Sequence, residues 1–458
     1  MQQLKQLSDT ITAIATPLGV AGVGIIRLSG PDAQTILAKV APKFPKTPTP
    51  NHMYFSSFIN PQTHTKIDDG YAVWFKAPHT FTGEDVAEIH CHSGSYILKT
   101  ILSVLVLCNA RLAIEGEFSK RAFINGKLSL EKAESLIDLI HSSNKHSHAV
   151  ALNHQDGSLL KVITQKRNQL MQILEQLEGS IDFPDEVPAI NRIETKHTLT
   201  NMITSLKNRL DTQDFGEQIT NGIKTLIVGR PNTGKSSLFN QLIGKNRAIV
   251  TEVEGTTRDY IETPIELAGA TIKLIDTAGI RETKNYVEFL GIEKISDLIK
   301  HAHLILWVID GSLPLQKEDH ETFKKIQHLE NVFIVANKAD SFTKIAEIPQ
   351  NPLNWPVIQV SSTNGTGADT LKQTIIKKII EPFDTVDLDL ICNIRQQTCM
   401  TQLHKLLMHL KSDLDKQIED DLFASDIKKA ILLCGELTGD DLTEEVLDGI
   451  FSRFCVGK

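Results

Sequence analysis

The chain is short of cysteine, of long apolar runs and of net positive charge, and each shortage removes a class of function. It has six cysteines in 458 residues, and none of them forms a C-x-x-C pair, which fits a reducing compartment better than a disulfide framework. A secreted role is therefore not expected. The longest apolar stretches, such as Ile101 to Cys108, are too short to span a bilayer, and the opening MQQLKQLSDT lacks the apolar core of a signal peptide. The expectation is a soluble cytoplasmic protein with no membrane partner. Lys and Arg number 48 against 56 Asp and Glu, a formal charge of −8 with pI near 6.1. No global positive field draws polyanions, so any nucleic-acid contact must rest on a local patch. No internal repeat or low-complexity tract is evident.

What is present is an ordinary globular composition, 41% hydrophobic and 23% charged. The length exceeds what one core usually serves, so two to four domains of roughly 100 to 200 residues are expected. From Thr10 to about Ile124, short β-rich runs (ITAIA, GVGIIRLSG, MYFSSFI, YAVWFKA, VAEIHCH) surround one helical run, SYILKTILSVLVL. Residues 1–124 read as a small α+β domain. Apolar residues then recur at helical spacing through Leu159, Leu160, Ile163, Leu170, Ile173, Leu174 and Leu177, and again through Ile193, Leu199, Ile203, Leu206 and Leu210. This marks a helical domain over 125–221. Residues 222–382 alternate buried-type strands (KTLIVG, TIKLID, LILWVID, NVFIVAN, PVIQVS) with helical segments, the pattern of a doubly wound, mostly parallel sheet. Helical periodicity returns over 383–458, through Ile391, Ile394, Leu403, Leu406, Leu407, Leu410 and Leu414. The α/β domain is thus expected as an insertion in a helical one.

The α/β segment carries four motifs in order. GRPNTGKS, Gly229 to Ser236, follows a strand and precedes the amphipathic SSLFNQLIG, as a phosphate-binding loop requires. Backbone amides from Asn232, Thr233, Gly234 and Ser237 surround the phosphates of GTP or GDP, Lys235 reaches the β and γ oxygens, and Ser236 ligates magnesium. Asp276 ends the strand TIKLID and opens DTAG, which puts a carboxylate at the end of a strand, where sheets of this kind bind ligands. There it holds magnesium through water, with Thr277 and Ala278 beside it and the Gly279 amide facing the γ-phosphate. Asn337, Lys338 and Asp340 form NKAD after another strand. A carboxylate at Asp340 accepts from both N1–H and the amino group of guanine, whereas adenine would leave it unpaired. Ser361, Ser362 and Thr363 follow PVIQV and support the base.

These segments resemble the G domain of translation-factor-like GTPases over about Gly222 to Pro382. Ile280 stands where Ras-like members place the water-orienting Gln, and an alkyl chain cannot do that. The acidic replacements after DTAG are Glu282, Glu288 and Glu293.

A closer resemblance rests on DTITAIATPLGVAGVGIIRLSG near the N-terminus, on FTGEDVAEIH, on AIVTEVEGTTRD from Ala248 to Asp259, and on the terminal FCVGK. Together they resemble the MnmE (TrmE) family of tRNA-modification GTPases over almost the whole chain. The resemblance implies a homodimer that assembles with the flavin-dependent MnmG into a heterotetramer or larger complex. The pair installs an aminomethyl-type (carboxymethylaminomethyl) group on C5 of uridine 34 in certain tRNAs. It implies that potassium takes the place of an arginine finger, held by Asn232, Thr251, Val253 and Thr256, that Thr257 completes the magnesium shell, and that Glu288 is the catalytic carboxylate. Thr251 and Thr257 also count among its GTP-binding positions. It implies that the N-terminal domain binds a 5-formyltetrahydrofolate-type folate through Arg27, Glu84, Lys127 and Lys458, with Cys455 a substrate-contact thiol. His90 and His92 share a strand face, which suggests a metal pair, but two ligands do not make a site and a hydrogen-bonded or exposed pair is the better reading. Two other functions compete: a GTP-regulated RNA assembly factor, against which stands the absence of a basic run, and a folate-dependent one-carbon enzyme with GTP as regulator.

Overall fold

A computed structural model of the protein describes residues 9–244, 262–276, 297–341, 353–416, 418–454, 456 and 457. The chain divides into two compact units, one of Met1–Ile137, His154–Met202 and Gln402–Lys458, the other of Asp138–Asn153 and Ile203–Thr401.

The first unit begins with a six-stranded sheet. Its strands are β1 (Ile11–Ile14), β2 (Gly24–Ser29), β3 (Met53–Ile59), β4 (Lys66–Phe75), β5 (Val86–Cys91) and β6 (Arg111–Leu112), in the order β3-β4-β5-β2-β1-β6. All pairs are antiparallel except β1 with β6. Strand alternation sends Ile26 and Leu28 of β2 into a core with α1 (Ala33–Val40) and α2 (Ser95–Leu107), through Ile36, Leu37, Val40, Leu98, Ile101, Val104 and Leu105. Arg27 and Ser29 therefore point to the opposite face. The helix expected at SYILKTILSVLVL spans those thirteen residues. Helix α1 was not expected: AQTILAKV is only eight residues long and gives a short periodic signal. β4 starts at Lys66 because the polar KIDDG pairs with β3 before the apolar half begins. Beyond the sheet come α3 (Glu117–Ile124) and α4 (Leu130–His141).

Helix α5 (Lys145–Gln155) belongs mostly to the second unit's segment Asp138–Asn153. The helical part of the first unit contains α6 (Ser158–Asp182), whose Leu159, Ile163, Leu170 and Leu177 are buried. The periodicity holds less well at the starts of two long helices. Ile193 in α7 (Arg192–Leu210) and Ile394, far along the chain, are 84% and 66% exposed, because each lies in its helix's first turn, before the apolar stripe meets a partner.

The second unit contains α8 (Gln213–Asn221) and a six-stranded sheet: β7 (Ile223–Val228), β8 (Glu262–Leu267), β9 (Ala270–Asp276), β10 (Leu304–Asp310), β11 (Val332–Asn337) and β12 (Val357–Gln359). Their order is β12-β11-β10-β7-β9-β8. Every pair is parallel except the β8–β9 hairpin. Successive residues of β10 feed opposite cores. Leu304, Leu306 and Val308 meet α9 (Lys235–Ile243) and α11 (Ala368–Ile375), while Ile305, Trp307 and Ile309 meet Ile326 of α10 (Lys317–Ile326). A sheet covered on both faces is why these strands read as unbroken apolar runs. From β7 the chain proceeds first to β9 on one side and then to β10 on the other. That reversal opens a crevice at the carboxyl ends of β7, β9 and β10. No helix among the described residues is long and apolar enough to cross a membrane.

The chain returns to the first unit through α12 (Ile394–Lys416), followed by α13 (Asp420–Thr438) and α14 (Glu444–Phe451). Leu403, Leu407, Leu410 and Leu414 of α12 are buried at the expected spacing.

Candidate functional site

The loop after β7 turns into α9 through Asn232 and Gly234, both in the left-handed region at φ 63° and 89°. Gly234 cannot carry a side chain, since a Cβ there would stand 2.1 Å from Asn337 Nδ2. The Lys235 ammonium donates to the Arg230 carbonyl at 2.9 Å, and Thr233 Oγ1 donates to the same carbonyl at 3.0 Å. This loop thus wraps around its own lysine. Ser236 Oγ donates to Asp276 Oδ2 at 3.3 Å. Two oxygen donors from the phosphate loop and the end of β9 meet at the crevice, a pairing suited to a hard cation.

The base-reading segment is tied to that loop through one side chain. Asn337 Nδ2 donates to the Thr233 carbonyl at 2.7 Å, and its Oδ1 accepts from Ser362 N at 3.0 Å and Ser362 Oγ at 2.9 Å. Asn337 is 2% exposed, so it acts as a structural tie between three loops. Lys338, at φ 66°, donates to Asp310 Oδ2 at 2.6 Å. Burial pushes the Asp310 carboxyl up, but Lys338 and Ser312 more than offset this and hold it below its ordinary range. Asp340 Oδ1 accepts from Ser361 Oγ at 2.5 Å and Oδ2 from Ser341 Oγ at 3.2 Å, and the Ser361 bond leads in lowering its pKa. Ser361 lies within 3.3 Å of Thr363 Oγ1. Asn232, Thr233, Gly234, Lys338, Asp340, Ser361, Ser362 and Thr363 accordingly lie in loops at the carboxyl end of one sheet, with Asp276 and Asn337 ending β9 and β11 there and Lys235, Ser236 and Ser237 opening α9. Thr251, Val253, Thr256, Thr257, Thr277, Ala278, Gly279, Ile280, Glu282, Glu288 and Glu293 lie outside the described residues, as do Cys455 and Lys458.

A second polar cluster occupies the face of the N-terminal sheet opposite α1 and α2. Arg27 Nε donates to Glu88 Oε1 at 2.9 Å, its NH1 donates to the Gly457 carbonyl at 3.2 Å, and its guanidinium stands 6.0 Å from the Phe118 ring. Two residues along β2, Ser29 Oγ donates to Glu84 Oε2 at 2.7 Å. Arg121 NH1 reaches both Glu84 oxygens at 3.2 Å. Asn125 Nδ2 donates to the Thr82 carbonyl at 2.7 Å, and Lys127 lies against Gly83, where an added Cβ would stand 3.2 Å from its Cγ and Cε. Arg27, Glu84 and Lys127, distant in sequence, therefore border one region, which residue Gly457 of the terminal segment also reaches.

Sequence reasoning missed the groups that hold Glu84. Arg121 is 1% exposed and donates to the Asp9 carbonyl, to Asp9 Oδ1 at 2.7 Å and to Glu117 Oε1 at 3.1 Å. The available signal was the Glu117 and Arg121 pair at helical i,i+4 spacing. Also missed were Asp310, which ends an apolar strand as Asp276 does, and Arg230, whose Nε donates to buried Asp319 at 3.0 Å. His90 Nε2 sits 3.0 Å from Glu88 and His92 Nδ1 sits 2.9 Å from Asp68. Each histidine thus has its own carboxylate partner, in line with the hydrogen-bonded reading.

A family model described as the MnmE helical domain matches residues 130–455, and one described as the GTP-binding protein TrmE N-terminus matches residues 10–127. The chain is 39% identical to the tRNA modification GTPase MnmE of Natranaerobius thermophilus, over 98% of this chain and 99% of that protein. It is 38% identical to that of Desulforamulus reducens and 36% to that of Aquifex aeolicus, each over 99% of this chain and 100% of the relative.

Proposed function

The chain belongs to the MnmE family of tRNA modification GTPases, and from that premise we propose that it binds and hydrolyses GTP as part of modifying tRNA. The observation that carries the nucleotide reading is the Asn337 side chain, which fixes a phosphate loop and a guanine-reading loop to each other at the end of one parallel sheet. In this reading Lys235 and the loop amides offset the charge of the β and γ phosphates, and Asp340 accepts from guanine. Magnesium suits Ser236 and Asp276, which are hard oxygen donors, with Thr257 the further ligand that the family resemblance implies; when bound it neutralises phosphate charge. Potassium belongs at Asn232, Thr251, Val253 and Thr256, where it supplies the positive charge that an arginine finger supplies elsewhere. Glu288 orients the attacking water.

The finer reading follows the family resemblance. The protein works in the cytoplasm as a homodimer with the flavin-dependent MnmG, and together they add a carboxymethylaminomethyl-type group at C5 of uridine 34. The domains are 1–124, 125–221 with 383–458, and the inserted 222–382. A 5-formyltetrahydrofolate-type folate binds at the N-terminal face. The chemistry of that face fits such a molecule: Glu84 is a carboxylate held in place by Ser29 and Arg121, suited to a pterin's N–H edge, while Arg27, Lys127 and Lys458 are cations suited to its glutamate tail. Cys455 is the substrate-contact thiol that the family resemblance implies.

Two measurements test this reading. Titration of the purified chain should show GTP and GDP bound far more tightly than ATP, and equal affinities would refute the nucleotide assignment. Mass spectrometry of tRNA from cells lacking the protein should show uridine 34 without its C5 group. Intact modification would refute the tRNA assignment while leaving GTP binding standing.

A further inference from the structure

Outside both sites, α12 and α13 bring three ligand-type side chains together near the turn that joins them. We propose that His409, Asp413 and Asp426 form a binding site for a first-row divalent cation of the zinc or cobalt type. His409 and Asp413 are one turn apart on α12 and so share a face, and Asp426 comes from α13.

The distances suit a shared ion. His409 Nδ1 is 2.9 Å from Asp413 Oδ2 and 3.6 Å from Asp426 Oδ2, and one ligand atom from each residue lies within 4.8 Å of the others. An ion bound tetrahedrally at about 2.0 to 2.1 Å separates its ligands by about 3.3 Å, a value the two measured separations bracket. Closing the third side asks for side-chain rotation, for which His409, 61% exposed, has room.

A second observation points to a cation. The Asp413 side chain is 4% exposed, and its Oδ1 has no hydrogen-bond partner among the described residues. A buried carboxylate oxygen left unpaired is costly, and native structures seldom keep one without a water or ion to satisfy it. A cation that takes both oxygens of Asp413 supplies that partner, and it removes the repulsion between two neighbouring carboxylates. Asp426 is already oriented, because Lys429 Nζ donates to its Oδ1 at 2.7 Å and leaves Oδ2 facing His409. That is the arrangement of an outer group that steers a ligand. The exposed imidazole leaves an entry path and room for water as a fourth ligand. One nitrogen with two carboxylates favours zinc or cobalt over magnesium, which prefers oxygen alone.

The test uses the full chain loaded with GDP and magnesium, so that the nucleotide site is filled, and titrates zinc by calorimetry and cobalt by visible absorption. His409→Ala and Asp426→Asn should each lose one equivalent, or weaken that step by about tenfold or more, with GTP hydrolysis as in the parent. Asp413→Asn gives an independent reading: zinc should raise the melting temperature of the parent and not that of this variant. Equal stoichiometry and affinity in the parent, His409→Ala and Asp426→Asn would overturn the site, as would an equal zinc-induced rise in melting temperature for Asp413→Asn.

Discussion

Replacing Asn337 by alanine removes three hydrogen bonds from one buried side chain: Nδ2 to the Thr233 carbonyl at 2.7 Å, and Oδ1 from Ser362 N and Oγ at 3.0 and 2.9 Å. The losses are unequal. Thr233 is fully buried, so its carbonyl is left without a partner and costs about 1 to 3 kcal/mol. Ser362 is only half-buried, and water replaces much of what it loses, leaving about 0.5 to 1.5 kcal/mol. The sum is about 3 kcal/mol of stability for the unit that holds the second sheet. Because the broken bonds tie the phosphate loop to the base loop, GDP affinity should fall with stability, by about 10- to 100-fold for each 1.4 to 2.8 kcal/mol that the loose loops no longer supply. Asn337→Asp separates the two halves of the argument. It keeps the acceptor for Ser362 but turns an oxygen toward the Thr233 carbonyl, so it should be less stable than the alanine variant. Denaturant unfolding and fluorescent-GDP titration measure both quantities. A variant that unfolds at the parent's midpoint and binds GDP as tightly would show that Asn337 ties nothing.

Asp340→Asn should move base preference from guanine toward xanthine with little change in melting temperature, because the side chain is a donor–acceptor reader at the surface; competition between GDP and XDP reports it. Glu117 has its pKa lowered despite burial, which pushes it up, because Arg111, the Ile114 amide and Arg121 outweigh that burial. Its stabilisation is therefore complete above the unfolded value near ~4.3 and is lost as pH falls through the lower folded value, so Glu117→Gln should unfold with a shallower pH dependence below about pH 4. Identical acid profiles would refute this. Glu288→Ala should leave GTP affinity intact while slowing hydrolysis by about tenfold or more, and rapid turnover by the variant would assign the role elsewhere. Deleting Cys455 to Lys458 should abolish tRNA modification and leave GTP hydrolysis unchanged. Normal modification by the truncated chain would remove the tail from the site.

The second sheet was legible because its strands are buried on both faces and so write themselves as unbroken apolar runs. LILWVID is β10 residue for residue. The phosphate loop was legible because its chemistry is local: glycine, lysine and serine act within eight consecutive positions. Asn337 was legible as part of a base-reading motif and illegible as a tie, since its partner Thr233 lies 104 residues away and nothing in NKAD names it. Helix α1 and strand β8 were missed for a different reason. Eight residues of AQTILAKV give barely two turns of period, and ETPIEL carries a proline that argues against a strand until an edge position makes it acceptable. Arg121 was the largest omission. A charged residue in a short helix reads as solvated surface, and only the fold reveals that Asp9 and Glu84, 112 and 37 residues away, converge on it.

That convergence has a consequence for the N-terminal face. Asp9, Glu84 and Glu117 gather around Arg121 and Arg111, so three carboxylates share two guanidiniums and one negative charge stays in excess. Glu117 and Asp9 are drawn to Arg111 as well as Arg121, whereas Glu84 shares only Arg121, and its neighbour Gly83 lies against Lys127. Of the three carboxylates Glu84 alone pairs with a single guanidinium, its other partner being the neutral Ser29 hydroxyl, so the excess charge falls mainly to it. A molecule offering two adjacent N–H donors is attracted there, and one offering only acceptors is repelled. Arg27 is spent differently: Glu88 neutralises it, and its NH1 still binds the Gly457 carbonyl, so it anchors the tail more than it contributes free charge. In the folate reading, positive charge for an anionic tail then comes chiefly from Lys127 and Lys458, with Arg27, already paired, contributing less. The reading of this face as a folate site therefore asks for a division of labour in which Glu84 selects the ring, while the cations, set by a segment docked through Arg27, select the carboxylates.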